Sequence, residues 1–226
     1  SNRGLRGKGD IQYLTSLTHS DSLVFFLDAT TGRANSHVVN EQLAGVEYPP
    51  ANVEMAALNW RPYSDAMFVY TDKMPMNLFN EATLVGNSKL TPAGMYGTGT
   101  VNFKRADITS QLFEFKHHEL LSDSADLRIY DLYQTDEFVF STDNYNSHID
   151  FKTRKGNFVS NGDASEVLFT RNQFKTNASA FEWKPIDEDI LIFKWDDPYK
   201  DININATPAL ELIDMKSVGN ELIATN

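Results

Sequence analysis

Along this chain apolar side chains recur mostly at every second position, the spacing that sets them on one face of a β-strand. Ile11 and Tyr13 alternate with polar residues, as do Val101 and Phe103, Phe113 and Phe115, Leu127 and Ile129, and Ile190 and Ile192. Each pair predicts a half-buried strand. Between them stand clusters of turn formers: Thr31-Gly32, Tyr48-Pro49-Pro50, Gly86-Asn87-Ser88, Thr91-Pro92-Ala93-Gly94, Lys155-Gly156-Asn157, Ser160-Asn161-Gly162-Asp163 and Asp197-Pro198. Glycine supplies positive φ at such points and proline a fixed one. The pattern predicts short strands, with a turn about every ten residues. Only Asn35–Leu43 and His117–Leu121 have a helical look, and they predict one or two helical turns at most.

Two internal similarities refine this picture. Gly4-Leu5-Arg6-Gly7-Lys8-Gly9-Asp10-Ile11-Gln12-Tyr13 matches Gly94-Met95-Tyr96-Gly97-Thr98-Gly99-Thr100-Val101-Asn102-Phe103 with every glycine and apolar position in register, and Ser20 and Phe25 continue the match at Ser110 and Phe115. Ala57-Leu58-Asn59-Trp60-Arg61-Pro62 likewise matches Ala180-Phe181-Glu182-Trp183-Lys184-Pro185. The offsets, about 90 and about 123 residues, differ, so they describe recurrent supersecondary units with loops of unequal length rather than one strict period. The fold class expected is all-β: an irregular β-solenoid-like stack of short strands, with a two-sheet β-sandwich as the alternative.

Composition bounds the chemistry. The 226 residues are 41% hydrophobic with 12 glycines, which is ordinary for a chain that buries a core. Thirty-one acidic against 20 basic side chains give a net charge of −11, which disfavours a nucleic-acid partner. The longest apolar run, Leu23 to Leu27, falls far short of the roughly 20 residues of a membrane span. There is no cysteine, so disulfides, thiolate metal sites and cysteine nucleophiles are excluded. That leans modestly toward an oxidising envelope or the outside of a cell. Ser1-Asn2 reads as an expression-tag remnant, with 3–226 a single β-rich, repeat-containing region excised from a longer protein.

No constellation of residues names a reaction. Gly94-Met95-Tyr96-Gly97-Thr98-Gly99 resembles a phosphate loop only in glycine content, because the residues after Gly99 alternate as a strand and no helix opens. Its duplicate at Gly4, Gly7 and Gly9 points to structure, with glycines making corners or admitting a close strand. Trp60 and Trp183 each precede a basic residue and a proline, which reads as a strand end entering a turn. The other reading is a sugar-stacking platform in which Trp60, Trp183 or Trp195, with the neighbouring Tyr199, binds glycan. His19, His37, His117, His118 and His148 are too scattered for a short metal-ligand spacing, and on a strand the adjacent His117 and His118 would point to opposite faces. Asp201-Ile202-Asn203-Ile204-Asn205 echoes a calcium loop, but Ala206 and Leu212 stand where glycine and glutamate are needed, so a strand explains it better. No cofactor or metal is expected. Paired carboxylates carry no information without geometry, and the hydrolase and nucleotidase templates are absent. Asn177-Ala178-Ser179 and Asn205-Ala206-Thr207 fit a glycosylation pattern that chance also produces.

In the strings Gly94 to Gly99, His148-Ile149-Asp150-Phe151-Lys152-Thr153-Arg154-Lys155-Gly156-Asn157-Phe158-Val159-Ser160-Asn161 and Phe181-Glu182-Trp183-Lys184-Pro185, the chain resembles very large uncharacterised β-repeat proteins of Bacteroidetes-type bacteria. The resemblance extends from about Gly4 to the C-terminus and carries no catalytic residue with it. It implies a periplasmic, cell-surface or extracellular protein whose partners are the rest of its parent chain or other envelope proteins. The expected function is a non-catalytic structural or scaffolding segment. The alternatives are a carbohydrate-binding module and, third, a glycoside hydrolase built on dispersed carboxylates.

Overall fold

The structure, a computed structural model, describes residues 4–38, 41–131, 137–162, 165–170, 174–184, 190–194, 203–204, 214–218 and 221–225. They are almost entirely strand, as the period of two dictates. In chain order these are β1 (Leu5–Tyr13), β2 (Ser16–Phe25), β3 (Thr30–Val38), β4 (Glu41–Leu43), β5 (Val46–Tyr48), β6 (Ala51–Arg61), β7 (Ala66–Tyr70), β8 (Met76–Leu78), β9 (Ala82–Thr91), β10 (Gly94–Phe103) and β11 (Ala106–Phe115). Then come β12 (Glu119–Tyr130), β13 (Phe138–Asp143), β14 (Tyr145–Asp150), β15 (Lys155–Ser160), β16 (Glu166–Phe169), β17 (Phe174–Thr176), β18 (Ala180–Lys184), β19 (Ile190–Lys194), β20 (Asn203–Ile204), β21 (Asp214–Val218) and β22 (Glu221–Thr225). One 3₁₀ turn, Pro62–Ser64, is the only helical element among the described residues. The one or two helical turns expected from sequence are not found among the described residues. Asn35 to Val38 complete β3, Glu41–Leu43 form β4, and His117 and His118 make the turn into β12. Both stretches were too short to nucleate a helix against the pull of a neighbouring strand.

The chain divides into two compact units, Ser1–Asn102 with Leu112–Glu119, and Phe103–Gln111 with Leu120–Asn226. In the first, β1, β2, β3 and β6 pair in sequence as an antiparallel meander. One end of β6 pairs with β7 and the other with β8, and β9 pairs with both, so β7 and β8 together fill one strand position. The second unit repeats the device. β14 pairs with β15 and β13 with β16, then β15 with β18 and β16 with β17, so that broken strands line up end to end. β18 goes on to β19, and β19 to β22.

Many strands are longer than the sequence suggested, ten residues in β2, β9, β10 and β11 and twelve in β12. The alternation is broken in mid-strand rather than at a turn. β2 buries Ser16, Thr18 and Ser20 and then Leu23; β11 buries Ile108 and Ser110 and then Phe113; β12 buries Leu120 and Ser122 and then Ala125. Two exposed residues in a row mark each slip, as in a β-bulge, where one extra residue bends the strand. β6 slips in the same way at Glu54-Met55; Met55 and, in β12, Ser124 take positive φ, 52° and 53°, and Asn144 at 63° separates β13 from β14. Short polar side chains satisfy the backbone groups that the bulges free. Asn35 Oδ1 accepts from the Met55 amide, Asn146 Oδ1 from the Ser124 amide, and Asp126 Oδ1 from the Asn144 amide, at 2.9, 3.1 and 3.0 Å.

The bends turn each unit's sheet around its own apolar face. In the first unit, Ser16 and Thr18 of β2 lie 3.8 and 3.7 Å from the Met67 sulfur of β7, although two strands intervene. A flat sheet would set them about 14 Å apart. In the second unit the core is aromatic. The Phe181 ring is parallel to Phe158 at 4.5 Å and meets Phe140 and Tyr145 edge-on at 5.7 and 5.2 Å. Trp183 meets Phe103 edge-on at 6.2 Å. Each such buried ring contributes roughly 1.5–3 kcal/mol.

Candidate functional site

The two tryptophan motifs come to lie at strand ends, facing inward. Trp60 sits in β6 opposite Met67, in the row whose neighbours Leu58, Val69 and Leu90 are buried. Its ring leans on Tyr13 at 6.2 Å, and the Tyr13 hydroxyl donates to Asp65 Oδ1 at 3.0 Å. Burial, followed by the Asp65 carboxylate, pushes the Tyr13 hydroxyl's pKa upward. Pro62 opens the 3₁₀ turn and Asp65 closes it at φ 47°, so Trp60, Tyr13 and Asp65 tie strand to turn. Trp183 is fully buried, opposite Gly156, where a Cβ would come 3.0 Å from the Phe158 ring and 3.4 Å from the indole. Among the described residues neither Trp60 nor Trp183 has a partner for its buried indole N–H. Trp183 therefore offers no ring face to a sugar, and Trp60 offers at most part of one. Trp195 and Tyr199, the other half of the expected platform, lie outside the described residues.

The aromatic surface that is presented outward has different members. β7 reads Ala66-Met67-Phe68-Val69-Tyr70, apolar on both faces. Met67 and Val69 go into the core, so Phe68 and Tyr70 must stand on the other side. Their rings lie nearly parallel, 6.4 Å apart with 11° between planes. The Arg61 guanidinium sits 5.4 Å and the Lys89 ammonium 5.8 Å from the centre of the Phe68 ring, and Asn59 and Lys89 flank Phe68 in register. Two flat rings between amide and cationic groups are what an apolar sugar face or an anionic, ring-bearing ligand would meet. The sequence reading missed this pair because it looked for tryptophan. The available signal was a strand with no polar position in five.

The glycine motif has a packing role. Gly86 in β9 and Gly99 in β10 carry φ of 154° and 126° and lie against each other, so that a Cβ on either would come 2.9 Å from the other's Cα. A Cβ on Gly86 would fall on the Thr98 carbonyl oxygen, and one on Gly99 on the Val85 carbonyl oxygen. At Gly97 a Cβ would lie 2.6 Å from the Phe115 ring and 3.0 Å from the Asn87 carbonyl oxygen. The cluster admits backbone to backbone and side chain to backbone.

The titratable groups are held by local structure. His19 Nδ1 lies 2.6 Å from Asp10 Oδ1 on the exposed side of β1 and β2, and that hydrogen bond raises the imidazole pKa above its ordinary value. Asp143, beside the Asn144 bulge, is raised by burial first and then by Asp126 and Glu166. The His117 and His118 rings, expected to point apart, stack at 4.1 Å because they occupy a turn and not a strand. Among the described residues no group of three or more metal-ligating side chains converges. Of the calcium-like segment, Asn203 and Ile204 form β20; the remainder lies outside the described residues. No helix among the described residues is long and apolar enough to cross a membrane. No family model matches this chain, and no curated protein or solved structure matches it.

Proposed function

We propose that this chain is a non-catalytic structural or scaffolding module of a large bacterial envelope or secreted protein, acting outside the cytoplasm. The observation that carries this reading is the Gly86–Gly99 crossing. The motif that most resembles ligand chemistry in the sequence serves close strand-to-strand approach, and its near-copy at Gly4, Gly7 and Gly9 also lies in and beside a strand. Bulges held by asparagine and aspartate side chains extend the same logic along the sheet. A carbohydrate-binding module is the second reading, favoured by the outward Phe68 and Tyr70 rings. Tryptophan fluorescence and calorimetry against a glycan panel separate the two. A scaffold gives no saturable signal. Saturable binding lost in Phe68→Ala or Trp60→Ala, with circular dichroism and melting retained, would make this a lectin-like module instead.

A further inference from the structure

We infer that the outer edge of β1 is a docking edge for a β-strand of the β9 type, a strand with apolar residues around a central glycine, entered through a turn that bears an aromatic ring. The inference stands on geometry shared by β1 and β10 and holds whether the module is a scaffold or a lectin. β1 and β10 occupy matching stretches of sequence, and each is followed by a turn residue of positive φ, Leu14 at 51° and Lys104 at 58°. Gly9 and Gly99 share the positive φ, 149° and 126°. Gly7 and Gly97 make the same contact, to the Phe25 ring at 3.2 Å and to the Phe115 ring at 2.6 Å.

What differs is the other side of the strand. β10 has β9 there, with the Val85 carbonyl and Gly86 against Gly99. β1 pairs with β2 along its length, and a Cβ on Gly9 would meet nothing within 4 Å. Gly9 therefore keeps a backbone shape that any other residue would resist, at a place where none of the described strands needs it. The side chains agree. Met95 is 1% exposed but its counterpart Leu5 is 76% exposed; Phe115 is 0% exposed but Phe25 is 37%. Phe115 is covered in part by Phe79, at 6.5 Å, from the turn between β8 and β9. Phe25, Phe26 and Leu27 form an exposed apolar end beside Leu5 that no ring among the described residues covers in this way. A strand with β9's pattern, preceded by a Phe79-like ring, fits that edge as β9 fits β10.

The probe is a synthetic peptide of residues 76–91, titrated into the whole protein and followed by calorimetry and by hydrogen exchange of residues 4–13. The expected result is saturable binding at one peptide per chain, slowed exchange in residues 4–13, and binding at least tenfold weaker for the peptide carrying Gly86→Val. Leu5→Glu in the protein should weaken binding without lowering its melting temperature, since Leu5 is exposed. Absence of saturable binding, equal binding by a scrambled or Gly86→Val peptide, or binding that leaves exchange in residues 4–13 unchanged would overturn the inference. Saturable glycan binding in the panel titration would overturn the scaffold reading alone and leave the docking edge standing.

Discussion

Replacing Gly99 with alanine and, separately, Gly9 with alanine isolates what a crossing strand demands of a glycine. Both positions hold positive φ, 126° and 149°, so both substitutions carry backbone strain of about 1–3 kcal/mol. Only at Gly99 does the added methyl also meet backbone, the Val85 carbonyl oxygen and, at 2.9 Å, the Gly86 Cα; at Gly9 it meets open space. Neither neighbour is a side-chain tip that can swing away, so β9 and β10 must separate locally. Overpacking of that kind adds about 1–3 kcal/mol. At roughly 2–4 °C per kcal/mol for a chain of this size, Gly99→Ala should melt at least about 2 °C below Gly9→Ala. Urea unfolding at unchanged m-value gives the same ordering in free energy. If the two variants melted together, the close approach of β9 to β10 would not be what fixes glycine at position 99, and the packing account of the motif would fail.

Trp183→Ala should cost about 3–5 kcal/mol, as for other buried tryptophans. Trp183→Phe should cost less than half of that, because it keeps an aromatic ring against Phe103 while removing a buried N–H that has no partner; thermal melts of the pair test this. Tyr145 donates to the Ala178 carbonyl oxygen at 2.7 Å, and burial raises its pKa. Its contribution should therefore be intact below about pH 10, where the unfolded phenol begins to ionise, and should fall as pH rises toward the native value. Tyr145→Phe should cost about 1 kcal/mol at neutral pH and make alkaline unfolding curves shallower; an unchanged slope would contradict it. His19 should titrate above an ordinary histidine by NMR and return toward the ordinary value in Asp10→Asn, because the Asp10 hydrogen bond is the leading cause of the shift.

The period-two spacing alone determined that the chain would be strands, and the pairs it singled out, such as Val101 with Phe103 and Phe113 with Phe115, are core residues. Alternation is a local property, set by the pleat, so it survives in the sequence. The structural weight of the glycines was legible too, from their appearance in two matching strings. Tertiary structure decided what kind of interruption each break in the alternation is. Ser20-Asp21-Ser22 and Asp123-Ser124 are mid-strand bulges, where Ser22 Oγ accepts from the Arg33 amide of β3 and the Ser124 amide donates to Asn146 Oδ1 of β14, partners that local sequence does not name. The aromatic side chains divided in the same way. Whether Trp183 is hidden and Phe68 is outward depends on which face of each strand the bent sheet encloses, and one residue of slip exchanges the faces. That choice is made by contacts between distant strands, such as Met67 with Thr18 and Phe103 with Trp183, and no window along the chain contains them.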